Sequence, residues 1–201
     1  MQDIYVTRIT QNNQGWERPS GIAKLANKQS FFARHGFHFD EWLFRKSWIM
    51  DNFQYGFIRG VHKLKQSSYT REGKFDSILY TIELRGESSG PYFRYVGQIR
   101  NVECLSKDQI KESVEAAKSM GWLKEMQREI KKIGGNIKAL TQSNYRDTPF
   151  NIRFNPSDLK IFNKPIFAKK DNLLRELKNF DLFELTNNQR LKILHPILHL
   201  I

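Results

Sequence analysis

The chain has 201 residues, 39% of them hydrophobic, and a formal net charge of +12. This composition allows a buried core in one domain and excludes a disordered chain. Residues 1–100 hold 15 Lys and Arg against 9 Asp and Glu, and the remainder hold 18 against 12, so both halves carry +6. The charge is therefore not a basic tail, and it favours a polyanionic partner.

The N-terminus has no signal-peptide pattern, and no window has the ~18 apolar residues of a membrane span. The single cysteine, Cys104, cannot form an internal disulfide, which is typical of a reducing compartment. These features predict a cytoplasmic protein with no membrane partner.

The first third of the chain mixes short apolar runs with turn residues. Residues 4–10 are rich in β-branched side chains and predict a strand. Residues 16–29 have no clear period and predict a long loop, which in compact domains is usually functional. Residues 42–44 and 55–61 predict two short strands.

The middle of the chain has the clearest periodic patterns. Residues 77–84 and 92–102 predict a hairpin, with Gly97 as a bulge in its second strand. Ser106 and Gln109 form a capping box that begins a helix. Gly121 ends or kinks that helix, and a second helical stretch runs to Gly134 and Gly135.

The last third predicts a strand over residues 150–154, a turn at 155–157 and short helices over 172–180 and 187–194. Together the elements predict an α+β fold: a strongly bent mixed sheet or small β-barrel, a broken central helix and small C-terminal helices. We expect residues 1–160 to form one domain. We expect residues 161–201 to form a helical extension packed on the same domain.

Residues 14–60, here called the aromatic stretch, contain three of the four tryptophans, interleaved with cations. Aromatic rings beside cations are typical of surfaces that hold an unpaired base next to phosphate. The alternative is core packing, which we expect for Trp122 first and for Trp42 next. The candidate base-binding residues are Trp16, Trp42, Trp48, Tyr55, Asn12, Asn13 and Asp40. The candidate phosphate contacts are Arg18, Arg34, Arg45, Lys46, Lys63 and Lys65.

The usual motifs of cofactor and catalytic sites are absent from the sequence. Glycine-rich nucleotide loops, a nucleophile elbow and cysteine zinc sites do not occur. We therefore predict no cofactor, no metal and no catalytic residue. A nuclease that uses His35, His38, Asp40 and Glu41 is the enzymatic alternative.

Five segments occur in a familiar order: GWERPSG (15–21), HGFHFDEWLF (35–44), YGFIRG (55–60), YVGQIRNVECL (95–105) and GWLKEM (121–126). The pattern resembles the amino-terminal recognition modules of modification-dependent restriction endonucleases with a His-Asn-His nuclease. More distantly it is similar to the PUA-like superfamily with its EVE, YTH, ASCH and SRA domains. The resemblance implies a pocket that takes a flipped, modified base between aromatic rings. The His-Asn-His pattern itself is missing.

The resemblance thus implies that residues 1–160 form a base-recognition domain that reads a modified cytosine or adenine in DNA, as the specificity module of a restriction system. A nuclease subunit or domain is an expected partner. An RNA-binding module of the same superfamily is the first alternative, and a protein-interaction domain is another.

Overall fold

The computed structural model describes residues 3–22, 31–64, 74–84, 90–140, 148–177 and 181–200. This part of the chain is mixed α and β, with eight strands in an open, mostly antiparallel sheet and five α-helices. The α+β prediction is therefore confirmed. The strands are β1 (Ile4–Arg8), β2 (Ile49–Met50), β3 (Phe53–Gly56), β4 (Lys74–Leu84), β5 (Pro91–Cys104), β6 (Ile152–Phe154), β7 (Leu159–Phe167) and β8 (Leu182–Glu184). The helices are α1 (Phe31–His35), α2 (Val61–Leu64), α3 (Lys107–Ser119), α4 (Trp122–Lys132) and α5 (Asn187–Leu194).

The chain divides into two compact units, and each is discontinuous in sequence. The first unit comprises Met1–Ile9, Arg59–Glu103 and Phe154–Ile201, and the second comprises Thr10–Ile58 and Cys104–Arg153. The first holds 17 Lys and Arg against 11 Asp and Glu, and the second holds 16 against 10, so each carries +6. The predicted boundary after residue 160 lies within β7.

In the first unit β5, β4, β1 and β8 lie side by side in that order, and β7 also pairs with β5. β1 runs parallel to β4, whereas β4 and β5 form the predicted antiparallel hairpin. The register between β5 and β7 shifts between Tyr95 and Gly97, so the predicted bulge is confirmed. A Cβ at Gly97 would lie 2.5 Å from the Lys160 carbonyl oxygen, which explains the glycine.

Two elements of the first unit differ from the sequence predictions. Residues 159–167 form strand β7, although residues 161–201 were expected to be helical. Most of its side chains are exposed, so it lacks the alternation that marks a half-buried strand. Of the strand predicted over residues 55–61, only the first two residues belong to a strand, β3, and Val61 begins helix α2. Gly60, with φ of 89°, changes the chain direction before that helix. The helices predicted over 172–180 and 187–194 are a 3-10 turn at Leu173–Glu176 and α5, with residues 178–180 outside the described residues.

In the second unit the broken central helix is confirmed. Ser106 Oγ accepts from the Gln109 amide at 3.2 Å, and Gln109 Oε1 accepts from the Ser106 amide at 2.8 Å. Gly121 adopts φ of 82° between α3 and α4, a conformation that glycine adopts without strain. The apolar sides of both helices pack on the aromatic stretch to form one core.

The strand predicted over residues 42–44 is wrong. Phe39–Trp42 is a 3-10 helix, and residues 43 and 44 form a turn after it. The Leu43 amide donates to the Asp40 carbonyl oxygen at 3.1 Å, which closes this turn. His38 and Glu41 form a capping box at its start, a local arrangement that competes with the strand preference of the aromatic side chains.

Candidate nucleic-acid interface

Three tryptophans form a buried stack in the second unit. Trp48 lies between Trp42 and Trp122, with ring centroids 6.3 and 5.4 Å away and interplanar angles of 17° and 10°. Trp42 and Trp48 are only 2% and 1% exposed, and the edge of Tyr55 packs on Phe150 nearby. Core packing of Trp122 and Trp42 is confirmed. Both faces of the Trp48 ring are already occupied in this arrangement.

Trp16 lies in a different setting, on loop 10–22. Its ring packs edge-on against Phe44, and its indole Nε1 donates to the Thr10 carbonyl oxygen at 2.8 Å. The Phe44 amide in turn donates to the Trp16 carbonyl oxygen. Trp16 is 4% exposed and has φ of 55°, a strained conformation for a residue with a bulky side chain. The predicted cage walls are therefore divided between a closed stack and this loop.

Asn12 organises loop 10–22 from within. Its Oδ1 accepts from the amides of Gln14 and Trp16, and its Nδ2 donates to the Arg18 carbonyl oxygen and to Glu41 Oε1. Both ends of the buried amide are thus used inside the protein. Asn13, the next predicted base contact, is exposed and accepts from Gln14 Nε2.

Two buried carboxylates hold the same loop against the Phe39–Trp42 turn. Asp40 Oδ2 accepts from the amide and the hydroxyl of Thr10 at 2.8 and 3.2 Å, and Asp40 Oδ1 lies 3.0 Å from His38 Nδ1. Glu41 Oε1 accepts from Asn12 and from the amide and hydroxyl of Ser20, and Glu41 Oε2 accepts from the His38 amide. We call this arrangement the loop lock.

The loop lock contains His38, Asp40 and Glu41 of the nuclease alternative, whereas the His35 ring packs against Phe31. The lock has the chemistry of a structural support. Asp40 is 2% exposed and Glu41 is fully buried. Burial raises the pKa of Glu41 to about 7, because the charged form loses its solvation. Among the described residues, there is no group of three or more His, Cys, Asp or Glu side chains placed to hold a metal ion.

None of the described helices is long and apolar enough to cross a membrane.

A second carboxylate pair ties helix α4 to the aromatic stretch. Arg45 donates to Glu129 Oε1 at 2.6 Å and to Glu125 Oε2 at 2.9 Å, with its guanidinium 4.8 Å from the Trp48 ring centroid. The indole Nε1 of Trp42 donates to Glu129, and that of Trp48 donates to Glu125. We call this arrangement the helix lock. The i, i+4 spacing of the two glutamates was its only signal in the sequence.

The residues of α4 that are classed as exposed are all basic, while Glu125 and Glu129 pair with Arg45. Four exposed cations lie at i, i+4, i+7 and i+8, a spacing that places them on one side of a helix. The two acidic residues of α4, which the structure describes completely, are turned toward Arg45 and are partly buried. We call this side the basic face; it consists of Lys124, Arg128, Lys131 and Lys132.

Helix α3 gives the contrast within the same unit. Its exposed surface has three lysines, and it has three acidic residues interspersed with them. Such a mixed surface has little net field, whereas the basic face concentrates positive potential. The residues of the mixed surface are Lys107, Asp108, Lys111, Glu112, Glu115 and Lys118.

The predicted phosphate contacts lie in several places. Arg18 and Lys46 are exposed beside a cleft of about 470 Å³ in the second unit, and Arg45 lines the same cleft. Arg34 is exposed on α1. Lys63 is in the first unit and pairs with Asp181. Lys65 lies outside the described residues.

Comparison of the chain with protein-family models, with curated proteins and with solved structures gives no match. The resemblance to recognition modules of restriction endonucleases therefore stays a prediction.

Proposed function

We propose that this protein binds nucleic acid and that the basic face of α4 contacts the phosphate backbone. The observation that carries the proposal is the separation of charge on α4: four exposed cations on one side, with both acids engaged by Arg45. Phosphate contacts of this kind supply most of the affinity for a nucleic acid without reading its sequence.

The charge of the whole chain is consistent with this proposal. Each unit carries +6, so long-range attraction favours a polyanion whichever unit meets it first. DNA is the expected ligand because of the resemblance, and RNA is the alternative, since both carry the same phosphate charge. Only RNA has the 2′-hydroxyl, so competition between the two distinguishes them.

The test is binding of one duplex sequence, made as DNA and as RNA, by fluorescence anisotropy over a range of salt concentrations. Four phosphate contacts predict that log K falls against log salt with a slope of roughly −3 to −4. A double variant of the basic face, Lys131→Gln with Lys132→Gln, should reduce the magnitude of that slope by about two.

The matched control is Lys111→Gln with Lys118→Gln on α3. It removes the same charge from exposed positions of the same unit, but from the mixed surface. The control should change the slope by much less than the α4 variant. A flat salt dependence of the wild-type protein would exclude phosphate binding, and equal effects of the two variants would move the interface away from α4.

Recognition of a modified base within a PUA-like fold is the finer form of the proposal. It rests on the resemblance and on loop 10–22, where Asn13 is exposed and Trp16 adopts a strained backbone. A base that stacks on Trp16 has to displace it from Phe44, so binding should change the Trp16 indole signal in a ¹⁵N–¹H spectrum. Equal affinity for modified and unmodified duplexes at fixed salt would exclude recognition of a modified base. It would not exclude binding to the phosphate backbone.

A further inference from the structure

The cleft beside loop 10–22 has the composition of an anion site. It has a volume of about 470 Å³, and its walls come from loop 10–22, from residues 45–47 and from α4. Arg18, Lys46, Ser47 and Gln14 offer hydrogen-bond donors to it, and Glu17 and Glu129 are its acidic members. Which of these groups remain available decides what the cleft can bind.

Arg45 forms a fixed wall of the cleft. Its two terminal nitrogens donate to the Glu17 carbonyl oxygen, to Glu129 and to Glu125. The Arg45 guanidinium also lies over the Trp48 ring, which further restricts its position. Because Arg45 shares its one positive charge between Glu129 and Glu125, its guanidinium is already engaged and is not available to a ligand.

Arg18 and Lys46 remain available to a ligand. Arg18 donates through Nε to Gln14 Oε1 at 3.0 Å, which orients the guanidinium. Its two terminal nitrogens are not used in that hydrogen bond. Lys46 is exposed and has no ion pair within the part of the chain that the structure describes. With the exposed carboxylate of Glu17, the available charge of the cleft is +1, which matches the single negative charge of a phosphodiester.

Loop 10–22 is built before any ligand arrives. Asn12 fixes the amides of Gln14 and Trp16, and Phe44 fixes the Trp16 carbonyl group. The left-handed conformations of Gly15 and Trp16, with φ of 66° and 55°, turn the chain so that Gln14 can reach Arg18. A strained, heavily bonded loop of this kind is typical of a preorganised binding site.

We propose that this cleft binds one phosphate group, with Arg18 and Lys46 as its charged contacts and Ser47 as a hydroxyl donor. The inference rests on the proposed function in that the expected source is a backbone phosphate of the bound nucleic acid. A free phosphate ester offers the same chemistry, so the experiment has to separate the two sources.

The experiment has two arms and three proteins: wild type, the cleft variant Arg18→Gln with Lys46→Gln, and the control Lys111→Gln with Lys118→Gln. The first arm titrates inorganic phosphate at constant ionic strength and follows the Arg18 Nε–H and Ser47 amide signals by NMR. The second arm measures oligonucleotide affinity against salt. We expect saturable shifts at the cleft, and a salt slope reduced by about one in the cleft variant alone, because one phosphate is neutralised there.

The outcomes separate the two proposals. If wild type binds the oligonucleotide but the cleft variant has the slope and affinity of the control, the cleft is not a phosphate site and the proposed function stands. If wild type binds no oligonucleotide but phosphate shifts the cleft signals saturably, the site stands with a small phosphate ester as its ligand and the proposed function fails. If neither ligand has an effect, both proposals are overturned.

Discussion

Two pairs of carboxylates hold the aromatic stretch in place, and they do so with different partners. In the loop lock, Asp40 and Glu41 are buried and accept from amides, hydroxyls and a side-chain amide. In the helix lock, Glu125 and Glu129 are partly exposed and share the guanidinium of Arg45. The first pair accepts hydrogen bonds in a buried site, whereas the second pairs with an opposite charge near solvent.

Because their partners differ, the two pairs respond differently to substitution. A buried acceptor that is removed leaves its donors without partners, each at a cost of ~1–3 kcal/mol. A partly exposed ion pair can be replaced by water at either end, so its loss costs less. The loop lock should therefore dominate stability, whereas the helix lock should matter mainly for the charge that α4 presents.

The largest expected effect is that of Glu41→Ala. The substitution leaves the amides of Ser20 and His38 and the Asn12 side chain without their acceptor. We expect the free energy of unfolding to fall by about 3–5 kcal/mol at pH 7, measured by urea denaturation. The control Glu112→Ala, at an exposed position of α3, should change it by no more than about 0.5 kcal/mol. A loss below about 1 kcal/mol for Glu41→Ala would show that the lock is not structural.

The next effect is a pH dependence that comes from the same residue. Burial raises the pKa of Glu41 from 4.5 to about 7, so the folded protein binds the proton more tightly than the unfolded chain does. The resulting stabilisation is complete below pH 4.5 and is lost as the pH rises through 7. Its full size is about 3 kcal/mol, from the shift of the pKa at 1.36 kcal/mol for each unit.

The pH effect is measured as a difference between proteins, because other groups also titrate. Between pH 4.5 and pH 8 wild type should lose stability relative to Glu41→Gln, which cannot ionise. Glu112→Gln, at an exposed position of α3, is the matched control for the same change of side chain. Parallel stability curves for wild type and Glu41→Gln would show that Glu41 does not titrate in this range.

Features that depend on neighbouring residues could be predicted from the sequence. The capping box of Ser106 and Gln109 and the break at Gly121 act within one turn of helix, and both occur as predicted. The β4–β5 hairpin is another local feature. Strand β7 was missed because its pairing with β5, not its own pattern, makes it a strand.

The side chains of the candidate site interact with residues that are distant in the sequence, and these pairings could not be predicted from the sequence. Asp40 and Glu41 are held by residues about 20 to 30 positions away, and Arg45 meets Glu125 and Glu129 about 80 positions away. Polar residues near the tryptophans were therefore interpreted as part of an open binding surface. In the structure many of these polar residues form hydrogen bonds with one another, and most of the aromatic rings are buried. The basic residues of α4 were visible as a set in the sequence, but only the structure shows that Glu125 and Glu129 of the same helix pair with Arg45.

The smallest effect on stability is expected for Arg45→Met. This variant tests the difference between the loop lock and the helix lock most directly. The variant removes the cation from the helix lock, but the indole N–H groups of Trp42 and Trp48 still donate to the two glutamates. We expect a loss of about 1–2 kcal/mol by urea denaturation, smaller than for Glu41→Ala. Arg45→Lys, which keeps the charge but not the paired geometry, should lie between this variant and wild type.

The same variant tests whether the helix lock serves the charge of α4. Arg45 offsets one of the two negative charges of Glu125 and Glu129, so its removal changes the net charge beside the basic face from −1 to −2. Oligonucleotide affinity at fixed salt should therefore fall for Arg45→Met, and adding Glu125→Gln and Glu129→Gln should restore most of it. Affinity that stays low in the triple variant would mean that Arg45 itself contacts the ligand. A stability loss larger than that of Glu41→Ala would reverse the ranking of the two locks.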